Sequence, residues 1–206
     1  MRTRVIAGRR VDAIAEAATR ARLVVIGASA VAPWVPPMLG STVHCLIRKT
    51  RRPVLVVRER PTRASRHVVI GVDFVARFDS ALACVRALAP DARLHVLHVC
   101  EPEFEAKLQS ARVSPRAIAE NRARSLKDAT SRMTDLLMSR HATAAVTGHV
   151  VLGRPGVALA GMYRKLGADL VVLVRGAKPF VEEFLLGSMT DRVLADARSD
   201  VLVVAA

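Results

Sequence analysis

Two places in the sequence put a glycine and a serine directly before a predicted helix: Gly40-Ser41 and Gly187-Ser188. The unpaired N–H groups and the dipole of a helix N-terminus favour anions, so such a pair suits a phosphate group. A turn with an ordinary N-cap explains the same spacing, because Ser188 is followed three residues later by Asp191, as in a capping box. Asp73 adds a carboxylate directly after an apolar run. These residues therefore indicate anion binding as the candidate function to be located on the fold.

Other chemistries find little support in the residue spacing. Cys45, Cys84 and Cys100 are widely spaced and form no C-x-x-C pair, which indicates free thiols in the cytoplasm. His95 and His98 lie three residues apart on one predicted strand, so they point to opposite faces and cannot ligate one metal ion together. No G-x-S-x-G sequence surrounds a serine. The sequence predicts no metal site and no catalytic residue.

The elements that must position the anion site repeat along the chain. Leu23–Gly27 matches Leu170–Val174 and Val54–Val57 matches Val201–Val204, and Leu39-Gly-Ser41 matches Leu186-Gly-Ser188, all at an offset of 147 residues. We therefore predict that residues 1–60 form the second half of a unit and residues 67–206 its complete copy. The polar residues 61–66 join the two as a linker.

In the complete copy, aliphatic runs alternate with helical patterns, which is typical of βαβ units. The fold predicted is α/β: an open, parallel five-stranded sheet sandwiched by helices, Rossmann-like, preceded by a partial copy of the same unit. The predicted strands are residues 68–72, 94–99, 145–152, 169–174 and 201–205, and the predicted helices are residues 79–89, 115–141, 155–167 and one starting at Ser188. In the partial copy, strands are expected at residues 4–7, 23–27 and 53–57.

Charge is uneven along the chain. The net charge is +14, and the first 66 residues hold 14 of the 32 basic residues but only 3 of the 18 acidic ones. Such asymmetry raises the possibility of nucleic-acid or membrane contact. Aromatic residues make up 3% of the chain, too few for a base-stacking platform. The uncharged stretch of residues 23–47 contains Pro33, Pro36 and Pro37, which favours a strand and a proline-rich loop over a membrane span.

Five motifs, in order, carry a resemblance to a known family. They are Val72-Asp73-Phe74, Leu94–Val99, Gly153-Arg-Pro155, Asp169–Leu173, and Leu185–Ser188 continuing to Asp200–Val204. Together they resemble the universal stress protein family over residues 67–206. The resemblance implies a small cytoplasmic α/β domain that is induced under stress and is usually dimeric through its last strand. The family has one branch that binds ATP and one that does not.

The resemblance also implies which residues would meet a nucleotide. The ATP-binding branch carries G-x2-G-x9-G-[ST] after the fourth strand, and here its first two glycine positions are Val174 and Ala177. The β-branched Val174 resists a positive φ and crowds close approach of the backbone to phosphate, so the nucleotide site is degenerate. The candidate binding residues are Asp73, Val99, Ala177, Gly187 and Ser188 in the complete copy, and Gly27, Ala30, Gly40 and Ser41 in the partial copy.

These observations lead to one functional prediction and two alternatives. The prediction is a non-enzymatic, cytoplasmic stress-response module that binds or regulates a protein client not identified by the sequence. ATP is the one cofactor considered. The alternatives are an ATP-binding switch with slow hydrolysis, which uses Asp73, Gly187 and Ser188, and a non-specific nucleic-acid binder that uses the basic first third.

The partial copy lacks the strands that would cover its apolar surface, so it needs a partner. We expect Val54–Val57 to lie alongside Val201–Val204, either within one chain as a pseudo-dimer or between two chains as a homodimer. A shortened copy of a full tandem protein is a further hypothesis. No contact with a membrane is predicted.

Overall fold

Aliphatic runs and amphipathic segments alternate along the chain, and they form seven strands and six helices among the described residues. The structure is a computed structural model. It describes residues 3, 5–28, 42–58, 63–74, 78–101, 113–139, 146–175 and 188–205. The strands are β1 (Val24–Gly27), β2 (Val54–Val57), β3 (His67–Gly71), β4 (Arg93–Cys100), β5 (Val146–Leu152), β6 (Leu170–Arg175) and β7 (Asp200–Ala205). The helices are α1 (Arg10–Ala18), α2 (Thr42–Lys49), α3 (Phe78–Leu88), α4 (Pro115–Ser139), α5 (Pro155–Lys165) and α6 (Ser188–Asp196).

All seven strands form one sheet in the order β1-β2-β7-β6-β3-β4-β5. Every neighbouring pair is parallel except β2 and β7, which are antiparallel. The predicted five strands are confirmed as β3 to β7. Strands β1 and β2 extend the same sheet to seven strands, because Val54–Val57 lies alongside β7 within this chain.

Helices cover both faces of the sheet, as the continuous apolar strands require. Helices α5 and α6 pack on one face through Leu159, Tyr163 and Val193, while α3 and α4 pack on the other through Val85 and Met133. Helix α5 begins at a proline and is followed by Gly167 at φ 59°, the termini predicted from the sequence. Within the described residues, no helix combines the length and the apolar character that crossing a membrane demands.

The predicted strand at residues 4–7 is wrong for the residues that are described there. Residues 5–7 are not in a strand, and Val5 is 97% exposed. The matching segment of the second copy is β5, which is held by seven residue pairs with β4. A strand needs a hydrogen-bonding neighbour, and no described strand offers residues 5–7 one.

The turns that precede α1 and α5 nevertheless have the same backbone conformation. Gly8 and Gly153 have φ values of 133° and 147°, a region open essentially to glycine. The next residues, Arg9 and Arg154, are both extended N-caps, at φ, ψ of −67°, 122° and −76°, 124°. The same glycine turn followed by an extended arginine N-cap thus precedes both α1 and α5.

The antiparallel seam between β2 and β7 is closed by side chains as well as by the pairs Val54–Val203 and Val56–Val201. The Arg58 N–H donates to Asp200 Oδ1 at 2.8 Å, and the Arg58 guanidinium donates to the Leu194 carbonyl near the end of α6. Burial lowers the pKa of Arg58, an effect that Asp200 partly offsets. Arg58 therefore joins the end of β2 to β7 and α6.

We expect Arg58→Met to lower the free energy of unfolding by about 1–3 kcal/mol, because the partly buried Leu194 carbonyl loses a charged donor. Urea unfolding followed by circular dichroism measures the loss. Arg52→Met is the matched control: the Arg52 guanidinium also donates to a carbonyl, that of Thr19, but on the exposed surface. Its effect should stay within about 0.5 kcal/mol. Equal losses in the two variants would contradict the role of Arg58 at the seam.

The start of β3 is held by one carboxylate. Asp169 Oδ2 accepts the N–H groups of Arg66 and His67 at 2.8 and 3.0 Å, and Oδ1 accepts from the Arg63 guanidinium at 3.2 Å. Partial burial alone would raise the pKa of Asp169, but these donors outweigh it and lower the pKa. Residues 63–66 are thereby fastened to the turn before β6.

Candidate functional site

A cleft of about 410 Å³ opens at the carboxyl ends of β3, β4 and β6. Its floor is formed by backbone and side chains at the strand ends, including Val72, Val99 and Val174, and its side by the first turn of α5 and by α6. Ligands of open parallel sheets bind at this end of the strands. The volume lies in the range of small-ligand sites. This cleft is the candidate functional site.

Two carboxylates enter the cleft from the strand ends. Asp73 follows β3 and is exposed, and Glu101 directly follows β4 and is exposed as well. Carboxylate oxygens accept hydrogen bonds, so this part of the cleft suits hydroxyl or amino groups of a ligand.

A strained residue fixes the backbone beside Asp73. Phe74 has φ 62°, a left-handed conformation that is costly for a bulky residue. Its ring packs against the ring of His98 with the centroids 4.2 Å apart, and the Arg132 guanidinium lies 4.7 Å from the centre of the Phe74 ring. The His98 Nδ1 atom is 2.9 Å from the Val72 carbonyl oxygen, which can only accept, so Nδ1 carries the proton. These contacts compensate the strain and hold the turn that presents Asp73.

Two guanidinium groups enter the cleft from the helices. Arg154 is the N-cap residue of α5, and Arg192 lies on α6, where it also pairs with Asp196 at 3.5 Å. A Cβ atom at Gly156 would lie 2.9 Å from Arg192 Cδ, so the glycine makes room for that side chain. Guanidinium groups bind phosphate and carboxylate through paired N–H donors. The cleft therefore holds both acceptors and cationic donors.

The structure brings only some of the predicted binding residues together. Asp73 and Val99 line the cleft, and Ser188 is the first residue of α6. Gly27 lies at the end of β1, the edge strand on the other side of β2 and β7, away from this cleft. The remaining predicted residues, Ala30, Gly40, Ser41, Ala177 and Gly187, lie outside the described residues. Their part in binding stays a prediction.

The sequence reasoning missed the residues that give the cleft its charge. Arg154 stands inside the Gly153-Arg-Pro155 motif, which contributes to the family resemblance but did not indicate a cation in the cleft. Arg192 lies four residues after Ser188, and Glu101 directly follows an apolar strand, as Asp73 does. The position of Glu101 after its strand was a signal that could have been used. Arg192 could be found only from the packing of α6 against α5.

Other chemistry is sparse in the described part of the chain. Residues 45, 84 and 100 are free cysteines, and burial raises the pKa of the Cys84 and Cys100 thiols, which makes them poor nucleophiles. Among the side chains described, no group of three or more His, Cys, Asp or Glu residues is arranged to hold a metal ion.

The decisive comparison is with protein families. The sequence profile of the universal stress protein family matches residues 64–205, well over half of the chain. The chain belongs to the universal stress protein family. No curated protein is significantly similar to it in sequence.

Solved structures of universal stress proteins share the fold. One from Archaeoglobus fulgidus DSM 4304 matches with a TM-score of 0.64 at 18% identity, over 95% of this chain and 64% of its own length. The universal stress protein UspA from Lactobacillus plantarum matches with a TM-score of 0.53 at 18% identity, over 70% of this chain and 99% of its own. The present chain thus spans less than two thirds of the Archaeoglobus structure. At these identities the likeness concerns the fold of a universal stress protein alone.

Proposed function

We propose that this universal stress protein is a non-enzymatic regulatory module of the cytoplasmic stress response, and that its cleft binds a nucleoside-sized anion. The observation that carries the proposal is the composition of the cleft. Asp73 and Glu101 enter it from strand ends, and Arg154 and Arg192 enter it from two helices. A nucleotide offers matching groups, since its hydroxyl and amino groups donate hydrogen bonds and its phosphate accepts them.

A short phosphate chain fits this cleft better than a triphosphate. Val174, which stands where the ATP-binding branch carries glycine, lines the cleft. Its branched side chain occupies space in which a glycine would let phosphate approach the backbone. The two guanidinium groups compensate with charge-assisted hydrogen bonds, which favour one phosphate group held by side chains. The degenerate nucleotide site is thus proposed to be a nucleoside monophosphate site.

The proposed role is binding without turnover. No hydroxyl, thiol or lysine side chain is present among the described residues that line the cleft, so none of them offers a nucleophile of that kind. The His98 ring is held by its Nδ1 contact with the Val72 carbonyl and by packing against Phe74, which fixes its orientation beside the cleft. These contacts support a site that binds and positions a ligand.

The experiment is titration calorimetry of the purified chain with adenosine, AMP and ATP. We expect AMP to bind more tightly than adenosine, and ATP to gain nothing over AMP. Arg154→Gln and Arg192→Gln should each weaken AMP binding by about tenfold, as expected for one charge-assisted hydrogen-bonding group. Arg86→Gln is the control, because Arg86 is an exposed cation in the last turn of α3 and does not line the cleft. Absence of binding by all three probes would overturn the proposal.

An ATP-binding switch with slow hydrolysis is the second candidate, and the position of Asp73 in the cleft favours it. It predicts that ATP binds more tightly than AMP. It also predicts a slow release of phosphate from ATP that Asp73→Asn abolishes. The two candidates therefore differ in the order of the affinities and in the product formed.

We also propose that the antiparallel pairing of β2 with β7 makes the chain an intramolecular pseudo-dimer of its two copies. Leu55 lies opposite Leu202 at this seam, with Val56 opposite Val201. The last strands then pair within one chain, which leaves other surfaces of the chain for a protein client.

A further inference from the structure

Three histidines on three adjacent strands lie in a row on one face of the sheet. Parallel pairing places His95 opposite Val69 and His149 opposite Leu97, so each histidine is displaced by two residues from its neighbour's partner. Because side chains alternate with a period of two, His67, His95 and His149 point to the same face. We call these three residues the histidine ladder. All three side chains are half-buried.

The rings of the ladder are in contact through their nitrogens. His67 Nδ1 lies 3.5 Å from His95 Nε2, and His95 Nδ1 lies 3.2 Å from His149 Nε2. The ring centroids are 5.8 and 5.4 Å apart. Both nitrogens of His95 are therefore engaged, one with each neighbour. The ladder connects β4 on one side to β3 and on the other to β5, the edge strand of the sheet.

The number of protons decides whether both contacts can exist. Each N···N contact needs one proton between its two nitrogens, and the two outer nitrogens, His67 Nε2 and His149 Nδ1, can each carry one more. The neutral ladder holds three protons, of which two fill the contacts. A fourth proton occupies the second outer nitrogen, and both contacts survive. A fifth proton must place two N–H groups face to face, which breaks a contact.

Burial and neighbouring cations disfavour protonation of the ladder. Burial, the neighbouring His149 and His67 and the cation of Arg93 on β4 lower the pKa of His95. Burial and Lys165, at the end of α5, lower the pKa of His149. The carboxylate of Asp169, before β6, is occupied by the backbone N–H groups of Arg66 and His67 and by Arg63. These surroundings therefore favour the neutral forms of His95 and His149, in which both contacts can be made.

We propose that the histidine ladder is a proton-operated clasp: it joins β3, β4 and β5 through both contacts while it carries at most one added proton, and it loses one contact when it takes up a second. The edge strand β5, which pairs with β4 alone among the described strands, is the strand that this loss loosens. The clasp works on the face of the sheet on which α5 packs, and it does not depend on a ligand in the cleft. Its output is an acid-dependent loosening of one edge of the sheet.

The clasp has a definite sign with pH. In the unfolded chain the histidines titrate near their ordinary value of about 6.5. Since the pKa values of His95 and His149 are lowered in the folded state, their contribution to stability is present above about pH 6.5 and is lost as the pH falls through the folded values. Acid should therefore loosen β5.

The test follows histidine titration and amide hydrogen exchange of the whole chain by nuclear magnetic resonance. We expect His95 to titrate below the ordinary histidine pKa of about 6.5, the direction in which burial and its neighbours shift its pKa. As the pH falls from about 6.5 toward the lowered folded pKa values of His95 and His149, the amides of residues 147–151 should lose protection by about tenfold per pH unit for each added proton, after correction for intrinsic exchange. The amides of β6 and β7 should not. Independent titration of the three ladder histidines near pH 6.5, or unchanged protection of β5, would overturn the proposal.

The variant that isolates the clasp is His149→Phe, which keeps a ring in place and removes both nitrogens. In this variant His95 should titrate at a higher pH, because the charge of His149, which lowers the pKa of His95, is removed. The pH dependence of β5 protection should disappear. Persistence of the same acid-dependent loosening in His149→Phe would show that other groups cause it. The wild-type measurement stands by itself if the variant does not fold.

Discussion

Shortening Leu202 to alanine will lower the free energy of unfolding by about 2–5 kcal/mol. Leu202 is fully buried in β7, with Val172 of β6 opposite on one side and Leu55 of β2 opposite on the other. Its removal leaves a cavity in the strand that joins β2 to β6, and a densely packed sheet can close such a cavity only in part. Urea unfolding followed by circular dichroism gives the difference in free energy.

The matched control for Leu202→Ala is Val5→Ala. Val5 is an apolar residue that is 97% exposed, so its truncation should change the free energy of unfolding by no more than about 0.5 kcal/mol. A loss below about 1 kcal/mol at Leu202 would mean that β7 is not packed on both sides as described. A two-step unfolding curve for the variant would show that the seam between β2 and β7 opens before the rest of the sheet.

Gly153→Ala will destabilise the fold by about 1–3 kcal/mol and will weaken ligand binding in the cleft. The cause is conformational and not steric: Gly153 has φ 147°, whereas an added Cβ atom would meet only the Ala158 Cβ at 3.6 Å, an ordinary contact. The Gly153 N–H also donates to the Cys100 carbonyl at 3.1 Å, which joins the ends of β4 and β5. Strain at this turn displaces Arg154, the next residue. Thermal unfolding and AMP titration measure the two effects.

Gly161→Ala gives the opposite result and serves as the control for Gly153→Ala. Gly161 lies inside α5, and no heavy atom outside its own helix backbone and chain neighbours lies within 4 Å of an added Cβ. Alanine stabilises a helix interior by about 0.5–1 kcal/mol relative to glycine. If the two substitutions shift stability in the same direction, the backbone conformation at Gly153 is not what makes glycine necessary there.

The sequence was sufficient to predict most of the fold, because the local pattern and the repeat agreed. Pro155 and Gly167 delimit α5 as predicted, and β3 to β7 form where aliphatic runs were found. The strand expected at residues 4–7 failed for a nonlocal reason. Its residues match β5 in type, but β5 exists because β4 pairs with it. The presence of such a neighbour cannot be read from the residues of the strand itself.

The candidate site was less predictable than the fold. Asp73 could be placed at the carboxyl edge of the sheet because the end of its strand can be read from the sequence, and Val99, which the family resemblance implied, also lines the cleft. Arg192 reaches the cleft through the packing of α6 against Gly156 of α5, a tertiary contact without a local signal. The histidine ladder depends on strand order and register in the same way, since His67 and His149 are neighbours of His95 only when β3, β4 and β5 are aligned. Spacing along the chain therefore gave no sign of it.

The place of β7 in the sheet affects the order in which the protein can fold during synthesis. The ribosome makes β1 and β2 before the other five described strands, yet β2 joins the rest of the sheet through β7, which spans Asp200–Ala205. At elongation rates of about 5–20 residues per second, the first pair waits for several seconds with an open edge at Val54–Val57. During that interval the nascent chain exposes an aliphatic strand edge, which is a template for wrong pairing. The seam between β2 and β7 can therefore close only after β3 to β6 have been made.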